Sequence, residues 1–395
     1  MATTFKTFQN NDIASTRTLL HEAVPITGTL VSGTYDSSGT PLNVKTYSHA
    51  MFESVYDYPY LSSSANHILD ITAGFHSGSY GQRYLSKSVP SDEGTSLDAQ
   101  RKKIATYNEM AQLLVGYDSF GNIRPFDQDG NFVKTTGDKM NACFFINFSR
   151  LLTKDEIKKG SFSMSFQTGG LNDAPAQGVL TLGDTNGATQ YFTNSPAGEY
   201  AILSCSSIHA AERGHRVGDA LGLIYYQAGI AVITSSLFLA THHADGTPYK
   251  NMDSTDSSVP RSKVRAFSKF GPRASAGTFR NFSVRETFVT SSQEVIADAL
   301  RNRIHNIEFN NTTELNSTIY FCRANHSDFN YSSNPTYTTG SKIRVKESTL
   351  DNPVSYITTI GLYSPDNELM AVAKLSEPIK KDPTNELTFR VRLDY

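Results

Sequence analysis

TIYFCRAN (318–325), KIRVKE (342–347), VSYITTIGLYS (354–364), ELMAVAKL (368–375) and ELTFRVRLDY (386–395) follow one another at the C-terminal end of the chain. Each is rich in β-branched and aromatic residues, and turn formers separate them: Asn334-Pro335, Asn352-Pro353, Pro365-Asp366-Asn367 and the run from Pro378 to Asn385. This is the pattern of a β-structure. VSYITTIGLYS and ELMAVAKL flank a Pro-Asp-Asn turn and are expected to pair as a hairpin. In the last segment Leu387, Phe389, Val391 and Leu393 sit at period two, with Thr388, Arg390, Arg392 and Asp394 between them. One face is therefore apolar and the other charged. A terminus frays unless something pairs with it, so a strand running to Tyr395 is expected to be held in a sheet.

Composition points the same way. Of 395 residues, 38% are hydrophobic and 19% charged, and the remainder is weighted to Ser, Thr, Asn and Gly, which short strands and many turns consume. Twenty Tyr and 23 Phe supply aromatic burial in the absence of Trp. At roughly 100–200 residues per domain the length allows two or three domains. The net charge of −2 and scattered Lys and Arg give no footprint for a nucleic-acid partner. Cys143, Cys205 and Cys322 are far apart and odd in number, and are expected as reduced thiols. MATTFKTFQNND has no apolar core and does not read as a signal peptide. The most apolar window, 221–240, contains Gln227, Thr234 and two glycines. It suits a hairpin turning at Gly229, buried on one face, and no membrane span is expected.

The expected architecture is mainly β with a few helices (α+β), multidomain, with a β-sandwich-like C-terminal unit. Residues 1–45 read as a polar arm ending in a hairpin through Asp36-Ser37-Ser38-Gly39, and 46–95 as ordered loop rich in Tyr, Ser and Gly. The main domain, 46–305, holds two expected helices. Over 97–115, Ile104, Tyr107, Ala111 and Leu114 mark one face, Ser96 is placed to cap and Gly116 to stop. Over 292–305, Ser291 and Glu294 form a capping box, with Val295, Leu300 and Ile304 on the apolar face. A short helix is expected at 153–159 from Thr153 and Glu156, strands from 161 to 240, and a polar exposed insertion at 241–281. An Asn-rich connection, 306–316, leads into the C-terminal domain 306–395.

Candidate chemistry is sparse. His209, Glu212 and His215 resemble a zinc-peptidase motif, but histidines six apart do not share a helical face and Gly214 intervenes. His242 and His243, with Asp245, point to opposite sides of any strand. Asp127-Gln-Asp129-Gly130 has too few oxygen ligands before its glycine for an EF-hand loop. The Tyr-rich segment 56–84 offers aromatic faces to sugars, although packing explains it as well. No nucleophile elbow, phosphate loop or dinucleotide fingerprint occurs. No catalytic, cofactor or metal residues are therefore assigned. The candidate interface residues are Phe5 and Phe8 in the arm, Phe329 and Tyr331, and Arg390, Arg392 and Tyr395 in the last strand.

Four stretches together resemble virion structural proteins of contractile-tailed bacteriophages, those of marine cyanobacteria in particular. They are YSHAMFESVYDYPYLSSSANHILDITAG (47–74), FFINFSRLLTKDEIKKGSF (144–162), LGLIYYQAGIAVITSS (221–236) and the region from FNYSSNPTY (329–337) to the end. The resemblance implies a tail- or baseplate-associated structural protein without catalytic residues. Such a protein is assembled in the host cytoplasm into the virion and is homo-oligomeric against other tail proteins. Two other readings stand beside it: a receptor- or glycan-binding tail protein, and a hydrolase of cell-surface polymers with two carboxylates in one cleft.

Overall fold

The computed structural model describes residues 5–33, 40–77, 97–130, 139–167, 179–206, 215–238, 291–332 and 350–395, together with 273–275, 278–279, 284, 287–288, 336–340, 342–344, 346 and 348. The protein is mainly β with a few helices. It begins with β1 (Ile13–Thr27) and one helical turn, α1 (Gly28–Ser32). β2 (Val44–Lys45), β3 (Glu53–Tyr56), β4 (His67–Phe75), helix α2 (Leu97–Leu114) and β5 (Ala142–Phe148) follow. A short helix, α3 (Arg150–Thr153), leads to β6 (Glu156–Ile157), β7 (Ser163–Phe166), β8 (Leu180–Gly183), β9 (Phe192–Ser195), β10 (Gly198–Cys205), β11 (Ala220–Tyr225) and β12 (Ile230–Thr234). After β13 (Arg273–Ser275) and β14 (Thr278–Phe279) come α4 (Gln293–Arg301) and the long β15 (Ile304–Ala324). The chain closes with β16 (Thr338–Thr339), β17 (Lys342–Ile343), β18 (Ser355–Tyr363), β19 (Leu369–Lys381) and β20 (Leu387–Asp394).

One large sheet has the order β1-β15-β7-β8-β10-β11-β12-β5-β4-β3-β2, with β6 and β20 also paired to β15 and β9 to β10. β13–β14, β16–β17 and β18–β19 are separate two-stranded sheets. The chain divides into two compact units, Met1–Leu20 with Glu314–Tyr395, and His21–Thr313. Thus the expected arm 1–45 is shared between them, and β1 and β15 each belong partly to both.

In the larger unit the sheet curls on itself. The Phe148 ring of β5 lies 5.3 Å from Phe309 of β15, although β7, β8, β10, β11 and β12 lie between those strands in the sheet order. Phe144, Ile146 and Phe148 of β5 point into this enclosed core, and Ile296, Ala297 and Leu300 of α4 join it. Cys143 and Phe145, on the other face of β5, meet Tyr107, Ala111 and Leu114 of α2. The helix over 97–114 forms as its periodicity predicts, and ends before Gly116 at φ 84°. It lies directly on β4. A Cβ on Gly74 would sit 2.6 Å from the Lys103 carbonyl oxygen, so only glycine permits this approach.

Several local expectations are corrected. β11 and β12 pair with Tyr225 opposite Ile230 and Gly229 at φ 66°, as expected, but the hairpin is buried on both faces, because the curled core covers one side and the α2 layer the other. Segment 46–95 is not simply loop: β3 and β4 lie in it, pinned by pairing to β5. Residues 28–32, expected to lead into a hairpin, make α1 instead, and the turn at 36–39 lies outside the described residues. The helix expected at 153–159 is α3, which ends at Thr153 because Lys154 takes φ 56°. Glu156 then pairs in β6 rather than closing a capping box. The second helix is capped by Ser292, which accepts from the Val295 amide, and stops at Arg301. Ile304 is a strand residue, and the Asn-rich connection is part of β15, ordered by pairing with β6 and β7. Most of the insertion 241–281 lies outside the described residues.

Candidate interaction surface

Every residue expected at an interface lies in the smaller unit. There β20 pairs with β15 over eight positions, from Ser317 opposite Asp394 to Ala324 opposite Leu387. The period-two pattern holds: Val391 is buried, Leu387, Phe389 and Leu393 are half-buried, and Thr388, Arg390, Arg392 and Asp394 are exposed. The chain end is tied at the last residue. The Tyr395 amide donates to the Asn316 carbonyl at 2.9 Å, and its hydroxyl lies 3.0 Å from that of Thr318, while the residue stays 75% exposed. Arg392 donates to Asp394 at 2.6 Å and to the Ser317 hydroxyl at 3.0 Å. The Ser317 hydroxyl and then Arg392 hold the Asp394 carboxyl below its usual range.

The β18–β19 hairpin forms across Pro365-Asp366-Asn367, with Asn367 at φ 65°, a conformation Asn tolerates. Leu362 faces Ala371 and Ile360 faces Ala373 on the better-buried side. On the other side Tyr363 faces Leu369 and Gly361 faces Val372. Tyr363, Leu369, Met370 and Val372 are all exposed there, Met370 by 70%. The Tyr363 and Leu369 side chains lie over Gly361, where a Cβ would come within 2.9 Å of the ring. Phe5 packs on Tyr363 at 4.8 Å between centroids. At the other end the hairpin is anchored. Lys381 is fully buried and its ammonium donates to Asn330 Oδ1 and the Asp382 carbonyl at 2.8 Å and to the His326 carbonyl at 3.3 Å.

The expected residues do not form one site. Phe5 reaches the hairpin tip, and Phe8 packs on Tyr320 of β15 at 5.4 Å. Phe329 lies at the hairpin base, where its carbonyl accepts from Ser355, and Tyr331 meets Tyr337 at 6.1 Å. Arg390, Arg392 and Tyr395 lie on β20 and its end. The tip residues Leu369, Met370 and Val372 were not among those expected. Their signal was present: ELMAVAKL carries apolar side chains on both parities, the pattern of a strand covered on two sides.

Comparison with known proteins finds no match among family models, curated proteins or solved structures.

The motif residues take structural places. His215 is buried and its Nε2–H donates to the Leu237 carbonyl at 2.9 Å; His209, Glu212, His242, His243 and Asp245 lie outside the described residues. Asp127 is buried against Lys139, and Gly130 takes φ 67°, as a tight turn requires. Among the described residues no three His, Cys, Asp or Glu side chains are grouped to hold a metal. No helix among them is long and apolar enough to cross a membrane.

The most strongly shifted ionisable groups lie in the core of the larger unit. Lys103 is fully buried, donates to the Phe288 and Ser291 carbonyls at 2.7 Å each, and is brought down to about 7 by burial. Glu53 is pushed up to about 8 by burial, against the pull of Arg301 at 3.4 Å. Arg301 is itself paired with Asp298 and donates to the Ser32 carbonyl at 2.6 Å.

Proposed function

We propose that this chain is a non-catalytic assembly protein of a tailed-phage virion, acting at the tail or baseplate through contacts of its smaller unit. The observation that carries the assembly reading is the β18–β19 hairpin. Among the described residues its two strands pair only with each other. A lone two-stranded hairpin is marginally stable in water, and its unpaired edges are templates for another chain. The tip adds exposed Tyr363, Leu369, Met370 and Val372. Covering the exposed half of each contributes about 1 kcal/mol. The exposed arginine face of β20 lies on a strand paired with β15 along its length, which suits a contact between subunits. The place in the virion rests on the four stretches that resemble phage tail proteins. In this reading the partners are other tail proteins and further copies of the chain, and nucleic acid is not one of them.

The test is the composition of purified particles. Wild-type protein is expected in them by mass spectrometry. The triple variant Leu369→Ser, Met370→Ser, Val372→Ser should keep its fold by circular dichroism yet be missing from particles. Absence of the wild-type protein from particles overturns the virion assignment. Normal incorporation of the folded variant overturns the hairpin's part in it.

A further inference from the structure

The two edges of the β18–β19 hairpin are not alike. β19 carries exposed Lys374, Glu377, Pro378 and Lys380. It also bulges: Ile357 faces Ile379 and Thr359 faces Lys374, so residues 375–378 loop out opposite Thr358. Charge, proline and a bulge each deter the addition of a further strand. β18, SYITTIGLY, has none of these, and runs for nine residues without a charged side chain. Among the described residues no strand but β19 pairs with it, and no backbone hydrogen bond joins its free edge to a loop.

We infer that β18 is the edge through which two copies of this chain pair, strand against strand, about a two-fold axis. The inference rests on the assembly reading of this hairpin and names the strand and the partner it uses. Adding a strand to a free edge satisfies the backbone groups of both strands and needs no preformed pocket. The sequence of β18 fits its own copy. Overlap of all nine residues in antiparallel register puts the axis at Thr359. Ile357 then faces Gly361 of the partner subunit, and Tyr363 faces Ser355 of the partner subunit, a large side chain opposite a small one each time. Like charges directly opposite would oppose such a pairing, and β18 has none. The resulting sheet, β19-β18-β18-β19, is closed. Both of its outer edges are the protected β19, so pairing ends at two copies and does not continue into a fibre.

The test is made on the full chain. Wild type is expected to sediment as a dimer at about 100 μM, which populates a contact with Kd of about 10 μM or tighter. Residues directly opposite in an antiparallel pair have Cα atoms about 4.5–5.5 Å apart, within the reach of a disulfide. Thr359→Cys should therefore give a disulfide-linked dimer under mild oxidation. Thr358→Cys should not, because the axis places Thr358 diagonally from its own copy, beyond that reach. Both threonines are exposed, so these variants test pairing rather than folding. Wild type, which keeps the half-buried Cys322, is the control. A monomer overturns the inference, as does a dimer in which Thr359→Cys links no more than wild type or no more than Thr358→Cys. A monomeric chain that still enters particles, while the hairpin-tip variant does not, overturns this pairing and leaves the assembly reading standing. A cross-linked dimer that is absent from particles overturns the virion assignment and leaves the pairing standing.

Discussion

Ser355 and Lys381 face each other across the base of the β18–β19 hairpin, and both reach the same turn: Ser355 donates to the Phe329 carbonyl and Lys381 to the His326 carbonyl and the Asn330 side chain. The base of the exposed hairpin is therefore fixed by polar contacts to this turn. Replacing Lys381 by Met removes three donated hydrogen bonds, to acceptors on residues that are partly or fully exposed. We expect a loss of about 1.5–3 kcal/mol, the scale of hydrogen bonds made by a charged group. Urea unfolding of the two proteins checks this, and a loss below about 1 kcal/mol would show the anchor to be dispensable.

Gly74 decides how α2 meets the sheet. A Cβ there would lie 2.6 Å from the Lys103 carbonyl and 2.8 Å from the Tyr107 amide nitrogen, both backbone atoms of the helix. Gly74→Ala must displace α2 from β4, at a cost of about 1–3 kcal/mol or more. A melting temperature equal to that of wild type would contradict this packing.

Lys103 links stability to pH. Its folded pKa, about 7, lies below the ordinary 10.5, so between these values the unfolded chain binds the proton more. Stability from this group therefore rises as pH goes from about 7 to 10.5. Lys103→Met should remove that rise, and should also destabilise the protein by leaving the Phe288 and Ser291 carbonyls without this donor. Denaturation midpoints of both proteins at intervals across this window measure the slope, and equal slopes would refute the assignment.

Glu53 acts in the opposite sense. Its folded pKa, about 8, lies above the ordinary 4.5, so the folded chain holds the proton more and stability falls as pH rises from 4.5 to about 8. Burial raises it against the pull of Arg301 at 3.4 Å, so the folded chain favours the protonated carboxyl below about 8. Glu53→Gln mimics that protonated form. It should be nearly neutral at pH 5 and progressively more stable than wild type towards pH 8. A variant whose disadvantage instead grows with pH would show that Glu53 is ionised beside Arg301.

Local pattern determined much of this protein. The period-two run Leu387, Phe389, Val391, Leu393 specified which face of β20 is buried, because successive strand residues point to opposite sides. Gly229 set the β11–β12 turn and Gly116 the end of α2, because each takes a left-handed backbone that other residues resist. Of the smaller unit, the Pro-Asp-Asn turn and the two strands around it were legible, and so was the exposed side of β20 that carries Arg390 and Arg392. Tertiary structure alone decided the rest. Asn306, Asn310 and Asn311 read as a connection, yet lie in a strand because β6 and β7 supply pairing partners from far away in the sequence. β4 likewise needed β5 beside it. Whether the exposed parity of ELMAVAKL meets a core or solvent depends on which strands and side chains lie alongside. Those are long-range contacts, and residue spacing along the chain carries no record of them.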